Sequence, residues 1–365
     1  MLIGIDGNEA NITRRVGVNQ YAFDLLHALH DLPETPEFVI YLKSPPLPDL
    51  PAARPGWSYR VIPFPKLWTQ TRLPFDLYTH FPRPDVFFTP SHYAPRWSPM
   101  PAVISVMDLG FLSTRSQFTA KDFNQLKHWT EYSVARAAKV LAISEFTRQD
   151  VIKFYHRRPE DVIVTHLAYD DKMFKPVSNP AVLKKFGITG KYFLFLSSLK
   201  PSKNVEGLIR AYHQFKLSSA GPVPKLVIAG KKAWLFDQIF ALVKDLQLEA
   251  DVIFTGFVAE TDVPPLMTQS AAFILPSFFE GFGIPVLEAM ACGTPVVVSH
   301  VASLPEVAGS AGIYIDPYNL DSICAGLTEA LGKNRRKYIT AGLTQVRQFS
   351  WVKTAQKTLE VLTSC

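Results

Sequence analysis

Short apolar and β-branched runs alternate with apolar residues at helical spacing along almost the whole chain. A strand buried on both faces reads as a continuous apolar run, and a helix covering it repeats every three to four residues. The alternation therefore predicts parallel sheets flanked by helices. Strands are expected at Leu2–Asp6, Phe38–Leu42, Tyr59–Ile62, Val86–Thr89, Ala102–Val106, Lys139–Ile143 and Val162–Val164. A second series follows at Tyr192–Ser197, Lys225–Ala229, Val252–Thr255, Ala272–Leu275, Pro295–Ser299 and Gly312–Ile315. Helices are expected where Tyr21, Leu25, Leu26 and Leu29 recur, near Phe123–Ala138, near Val205–Phe215, and at the closing run Trp351, Ala355, Leu359 and Leu362.

Between the two series lies Asp170-Asp171-Lys172-Met173-Phe174-Lys175-Pro176, a polar stretch that interrupts the alternation and marks a domain boundary. At 365 residues the chain exceeds what one core comfortably serves, which agrees with two doubly wound domains. Residues 44–101 are rich in proline and aromatics and are expected to form irregular loops between the strands.

An apolar share of 47% excludes a disordered chain. The net charge of +6 is spread over both halves, which excludes a nucleic-acid stripe but suits phosphate-bearing ligands. The basic run Lys333–Lys337 reads as a solvated helix face. Three cysteines, Cys292, Cys324 and Cys365, fall at no metal-ligand spacing and fit a reducing cytosol. No signal peptide and no membrane-spanning run is evident, which leaves surface association open.

The most informative stretch is Pro276-Ser277-Phe278-Phe279-Glu280-Gly281-Phe282-Gly283-Ile284-Pro285-Val286-Leu287-Glu288-Ala289-Met290-Ala291-Cys292-Gly293. It reads as a strand end, a glycine loop and a short helix. Pro285 suits the first turn, and Gly293 suits the left-handed position past the end. Open N–H groups at residues 282–286 and the positive end of the helix dipole form a seat for a diphosphate. Glu288, expected in the first turn, offers a carboxylate to ribose hydroxyls, and Glu280 faces a sugar. The plainer account is a dipole-complementing Glu288 and a solvated Glu280.

Glu280 and Glu288, with seven residues between them, resemble the E-x7-E motif of the retaining glycosyltransferases of family 4, and PSFFEGFGIPVLEAMACGTPVV is similar to that family throughout. Gly17-Val18-Asn19-Gln20-Tyr21 resembles its N-terminal glycine loop, Val140–Thr147 its mid-chain strand and helix start, and Phe349-Ser350-Trp351 its closing helix. The resemblance implies a GT-B fold: two Rossmann-like α/β domains facing each other across a cleft, the C-terminal one binding the donor. The implied domains are residues 1–175 plus 350–365, with a returning last helix, and residues 176–349.

The same resemblance places Lys203 on the donor phosphates, where a fixed cation stabilises charge growing on the leaving group. It brings Gly17, otherwise a plain turn glycine, close to those phosphates, and sets the backbone of Gly256-Phe257-Val258, otherwise a simple strand end, against the nucleotide base. Departures from the family pattern are Met107 in place of a histidine before Asp108, Ser202 in place of an arginine, and Ser197 in place of a glycine. Lys200 is expected to supply the missing charge. His166 reads as a hinge-region structural residue, and His92 as either an acceptor-side group or a surface histidine.

The implied activity is retaining transfer of a hexosyl group, with a lean to mannosyl, from a nucleotide diphosphate sugar to a glycan or lipid-linked acceptor. The expected catalytic residues are Glu280, Lys203 and Asp108. The expected donor-binding residues are Gly17, Lys200, Lys203, Val258, Glu280, Phe282, Gly283, Ile284 and Glu288. No metal or other cofactor is implied, and no nucleic-acid partner. The expected place is the cytoplasm, including the cytoplasmic face of a membrane. The alternative, motivated by Met107 and Ser202, is a nucleotide-sugar-binding protein with lost or weak transfer.

Overall fold

The structure is a computed structural model that describes residues 1–33, 36–64, 66–113, 119–230 and 236–365. The chain divides into two compact units, Met1–Leu167 with Ser350–Cys365, and Ala168–Phe349.

The first unit carries seven strands: β1 (Leu2–Asp6), β2 (Glu37–Leu42), β3 (Trp57–Val61), β4 (Val86–Thr89), β5 (Ala102–Val106), β6 (Lys139–Ala142) and β7 (Val162–Val164). They form one parallel sheet in the order β3-β2-β1-β4-β5-β6-β7. The inner strands β4 and β5 are buried along their whole length, which is why they appear in the sequence as unbroken apolar runs. The helix Val18–His30 buries Tyr21, Ala22, Leu25, Leu26 and Leu29, the face its spacing predicts.

The closing helix, Trp351–Thr363, packs on that Val18–His30 helix. The rings of Tyr21 and Trp351 lie 6.3 Å apart, and the Thr354 hydroxyl donates to the His166 carbonyl at 2.6 Å. His166 thus serves this unit's own packing.

The proline-rich stretch holds more regular structure than expected. A turn of π-helix at Trp68–Arg72 runs into an α-helix at Leu73–Thr79, with proline in its first turn. Tertiary contacts hold it there. The Trp68 indole donates to the Ile62 carbonyl at 2.8 Å, and Trp68, Leu73 and Leu77 join a core with Tyr41 and Phe87.

The second unit carries β8 (Tyr192–Leu196), β9 (Lys225–Ala229), β10 (Val252–Gly256), β11 (Ala272–Leu275), β12 (Val296–Ser299) and β13 (Gly312–Ile315). They make a parallel sheet in the order β10-β9-β8-β11-β12-β13. The strand order reverses between β1 and β4 in the first unit and between β8 and β11 in the second. At such a switch point the loops leaving adjacent strands part and open a crevice at the carboxyl ends.

The division falls after Leu167, not at residue 175. The polar stretch is no free linker. Asp170 accepts the N–H groups of Lys172 and Met173, Phe174 is buried, and Val177 N–H donates to Thr268 Oγ1 at 3.1 Å, all within the second unit.

Candidate active site

At the β8–β11 switch point, the loop after β8 closes in a 3-10 turn at Pro201–Lys203. Asn204, in left-handed geometry at φ 54°, turns the chain into the helix Val205–Ser218 while its side-chain amide donates to the Pro317 carbonyl at 2.8 Å. The loop after β11 runs alongside, tied by Phe278 N–H to the Ser202 carbonyl at 2.9 Å. Two side chains 77 positions apart thereby meet: Lys203 Nζ lies 2.7 Å from Glu280 Oε1, with both side chains largely shielded from solvent.

The hydroxyl of fully buried Ser277 donates to the same Oε1 at 2.7 Å. Glu280 is therefore a fixed carboxylate, held by one charged and one neutral donor, rather than a solvated one.

Ser303, also fully buried, donates to the carbonyls of Glu280 (2.9 Å) and Phe282 (3.0 Å). In a trans peptide the N–H points opposite to the carbonyl. By drawing both carbonyls to one side, Ser303 turns the amides of Gly281 and Gly283 to the other. Neither Ser277 nor Ser303 was singled out by sequence reasoning. Ser277 had a signal in its three-residue spacing to Glu280, whereas Ser303 acts only through space.

The helix after this loop spans Ile284–Ala291, with Gly283 as its N-cap at φ 105°. A Cβ at Gly283 would come within 2.8 Å of Leu304 Cδ2, so both the backbone angle and the space demand glycine. The expected seat at residues 282–286 is narrower than read. Pro285 has no N–H, and Val286 N–H donates to the Gly283 carbonyl at 2.9 Å. The helix entrance therefore offers the amides of Gly283 and Ile284.

Glu288 is not in the first turn, which holds no acidic residue. Because the helix starts at Ile284, Glu288 falls one turn further in, partly buried. Phe282 is buried and packs edge-on against Phe349 at 5.8 Å.

Of the other expected donor residues, Lys200 is tied to the pair through its carbonyl, which accepts the Lys203 N–H at 2.9 Å. Val258 is buried just past β10. Lys200 is exposed and lines a cavity of about 360 Å³ with Glu206, Arg210 and Phe278.

In the first unit, Gly17 caps the Val18–His30 helix at φ 57°, ψ −121°, a conformation for glycine, and an added Cβ there would meet open space. Asp108 follows β5 and accepts the Gly110 N–H at 2.8 Å, which starts the short helix Gly110–Ser113.

The carboxyl end of β1, at that unit's own switch point, has a different character. Burial pushes the Asp6 carboxyl up to about 6, against the Asn8 backbone and side-chain donors. Burial likewise raises Glu9, whose carboxylate accepts from the Asn19 side chain. His92, in the loop after β4, is pushed down to about 4 by burial, and its Nδ1 is enclosed with no hydrogen-bond partner. The residue as a whole is half-buried, between its two readings.

Among the described residues, no three His, Cys, Asp or Glu side chains converge as a metal ion would require. All three cysteines are free.

The family described as Glycosyl transferases group 1 matches residues 181–343, and that described as Glycosyltransferase Family 4 matches residues 16–172. O-antigen chain mannosyltransferase B of Escherichia coli is 35% identical over 232 residues, 62% of this chain and 61% of that protein. The match thus spans less than two thirds of that relative's length.

Among solved structures, a sucrose-phosphate synthase from Thermosynechococcus elongatus superposes with a TM-score of 0.77 at 18% identity, covering 100% of this chain and 98% of that one. Anabaena Alr3699/HepE, solved in complex with UDP and glucose, gives 0.75 at 18% identity, covering 100% and 99%. With two parallel-sheet α/β units, each matched by its own family signature, this chain belongs to the group 1, family 4 glycosyltransferases of GT-B fold.

Proposed function

We propose that this protein moves a hexosyl group from a nucleotide diphosphate sugar onto a hydroxyl of a glycan or lipid-linked acceptor, with retention of anomeric configuration. The observation that carries the reading is the Lys203–Glu280–Ser277 constellation beside the Gly283 and Ile284 amides at the β8–β11 switch point. It combines a cation and open amides, suited to a diphosphate, with a carboxylate suited to sugar hydroxyls.

Both donors to Glu280 fall on Oε1, so Oε2 is the oxygen that takes a sugar hydroxyl. Lys203 has three N–H donors and can hold Glu280 and a phosphate oxygen together. Lys200 adds positive charge to the approach, Glu288 takes ribose hydroxyls, and Val258 meets the base. Gly17 and Asp108 serve the first unit's side of the reaction. Similarity to O-antigen chain mannosyltransferase B supports a mannosyl donor and polysaccharide synthesis.

As the sugar C1–O bond to the diphosphate breaks, positive charge builds on the ring and negative charge on the leaving oxygens. The acceptor hydroxyl forms its new bond to C1 on the departing face, and its proton passes to a phosphate oxygen of the leaving group. No side-chain nucleophile is needed. Lys203 and the helix entrance carry the electrostatic task, so chelators are expected to leave turnover unchanged. The free cysteines support a cytoplasmic location.

The test is a thermal-shift and calorimetric screen of GDP, UDP and ADP with their sugars, on wild type and Glu288→Ala, with released nucleotide assayed alongside. One nucleotide should raise the melting temperature in a Glu288-dependent way, and its sugar should be turned over once acceptor is supplied. Binding without turnover across glycan and lipid-linked acceptors would favour the inactive binder, and no nucleotide binding would sink the reading.

A further inference from the structure

The helix Leu73–Thr79 buries Leu73, Leu77 and Asp76 and turns Phe75 and Tyr78 outward. Phe75 is 63% exposed and Phe81, just beyond the helix, 67%. Large aromatic rings so exposed and so close together are unusual on a surface that meets only water.

Cations sit directly on them. The Arg83 guanidinium lies 4.5 Å from the Phe81 ring centroid and 6.0 Å from that of Tyr78, and Arg72 lies 5.8 Å from that of Phe75. Beside the start of this segment, Arg96 donates to Gln70 at 2.5 Å and fixes the next residue, Trp97, which is 66% exposed. Trp97 holds φ at 50°, a left-handed backbone that a bulky residue adopts only against its preference. Its backbone N–H donates to the Tyr132 hydroxyl at 3.2 Å, and the indole stands in solvent.

The charge is one-sided. From residue 54 to 85 the sequence has Arg54, Arg60, Lys66, Arg72 and Arg83 against Asp76 and Asp85, and Asp85 accepts the Leu2 N–H at 2.7 Å. Asp76 is buried and already neutralised, with Arg60 in a two-pronged contact at 2.5 and 2.7 Å and Arg72 at 3.7 Å. Lys66 and Arg83 are exposed. Aromatic rings that seat between headgroups and acyl chains, ringed by unneutralised cations, are the combination that binds an anionic bilayer surface.

We infer that this face of the first unit, built on Phe75, Tyr78, Phe81 and Trp97 with Lys66 and Arg83, docks the protein on anionic lipid. Among the described residues no helix is long and apolar enough to cross a membrane, so the attachment is peripheral. It would bring the enzyme to the surface where lipid-borne acceptors reside, but it stands independently of the transferase reading.

The test is co-sedimentation of the full chain with phosphatidylcholine vesicles, with and without phosphatidylglycerol, alongside Phe75→Ser/Phe81→Ser and Lys66→Gln/Arg83→Gln, each checked by circular dichroism and melting. Wild type should partition onto the anionic vesicles at least tenfold more than onto neutral ones, and each double variant should lose that gain while keeping its fold. If the aromatic pair misfolds, Trp97→Ser on its loop serves in its place. Equal binding to both vesicle types, or retention by the aromatic variant while only the charge variant fails, overturns the inference. So does a wild-type dimer in sedimentation velocity that Phe75→Ser dissolves, because a second copy would then own the face.

Discussion

The two units share one strand order around their switch points and handle charge in opposite ways. At β8–β11 the ionisable groups are paired: Lys203 meets Glu280 at 2.7 Å, and the neighbouring helix entrance adds amide donors. At β1–β4 they are buried toward their neutral forms, with Asp6 and Glu9 raised and His92 lowered. A parallel sheet with a reversal in strand order supplies the crevice, and the side chains at its rim decide what enters. The second unit's rim suits a multiply charged anion. The first unit's rim instead holds two buried acids, with Lys43 acting on both, and a shielded imidazole.

The largest test of this contrast is Lys203→Ala. It removes the cation and leaves Glu280 shielded with Ser277 as its remaining donor, so turnover should fall by roughly 100-fold or more, with weakened diphosphate binding in calorimetry. A change under about threefold would mean that the pair is structural.

Ser303→Ala should act through the backbone it holds. Donor kcat/KM is expected to fall about tenfold, the scale of one hydrogen bond, mostly in donor KM, with a melting temperature lower by a few degrees because two shielded carbonyls lose their donor. An equal loss for a poor and a good leaving group would confine Ser303 to ground-state binding, whereas a steeper loss for the poor one would link it to the departing charge.

The smallest effect probes the first unit. Asp6 has a folded-state pKa of about 6, above its ordinary 3.8, so its contribution to stability is complete below about pH 4 and is lost as pH rises through 6. His92 runs the other way, losing its contribution as pH falls from 6.5 through about 4. Asp6→Asn should therefore gain on wild type in melting temperature by a few degrees between about pH 4 and pH 7. A pH-independent difference would show that Asp6 ionises freely in the fold.

How far the sequence carries depends on whether an element is specified locally. The buried strands were legible because β4, β5 and β11 are apolar on both faces, and the Val18–His30 helix because its apolar residues keep helical spacing. The Leu73–Thr79 helix was not legible, since it rests on the Trp68 indole reaching Ile62 and on a core shared with Phe87. Within the site, the Glu280–Glu288 spacing and the left-handed Gly293 past the helix end were readable. The placement of Glu288 in the first turn failed because the helix starts at Ile284, which makes Glu288 its fifth residue. The Ser303 clamp and the Lys203–Glu280 contact join residues far apart in sequence, and nothing local signals either.

The packing of residues 350–365 against the Val18–His30 helix also sets an order of events in synthesis. A ribosome delivers the chain from its amino end, yet the first unit lacks one of its layers until Trp351 and Thr354 emerge to meet Tyr21 and His166. Residues 168–349 can close on themselves before that. The unit begun first therefore closes only after residues 168–349 have been made, and until then the Val18–His30 helix goes without the packing of Trp351–Thr363.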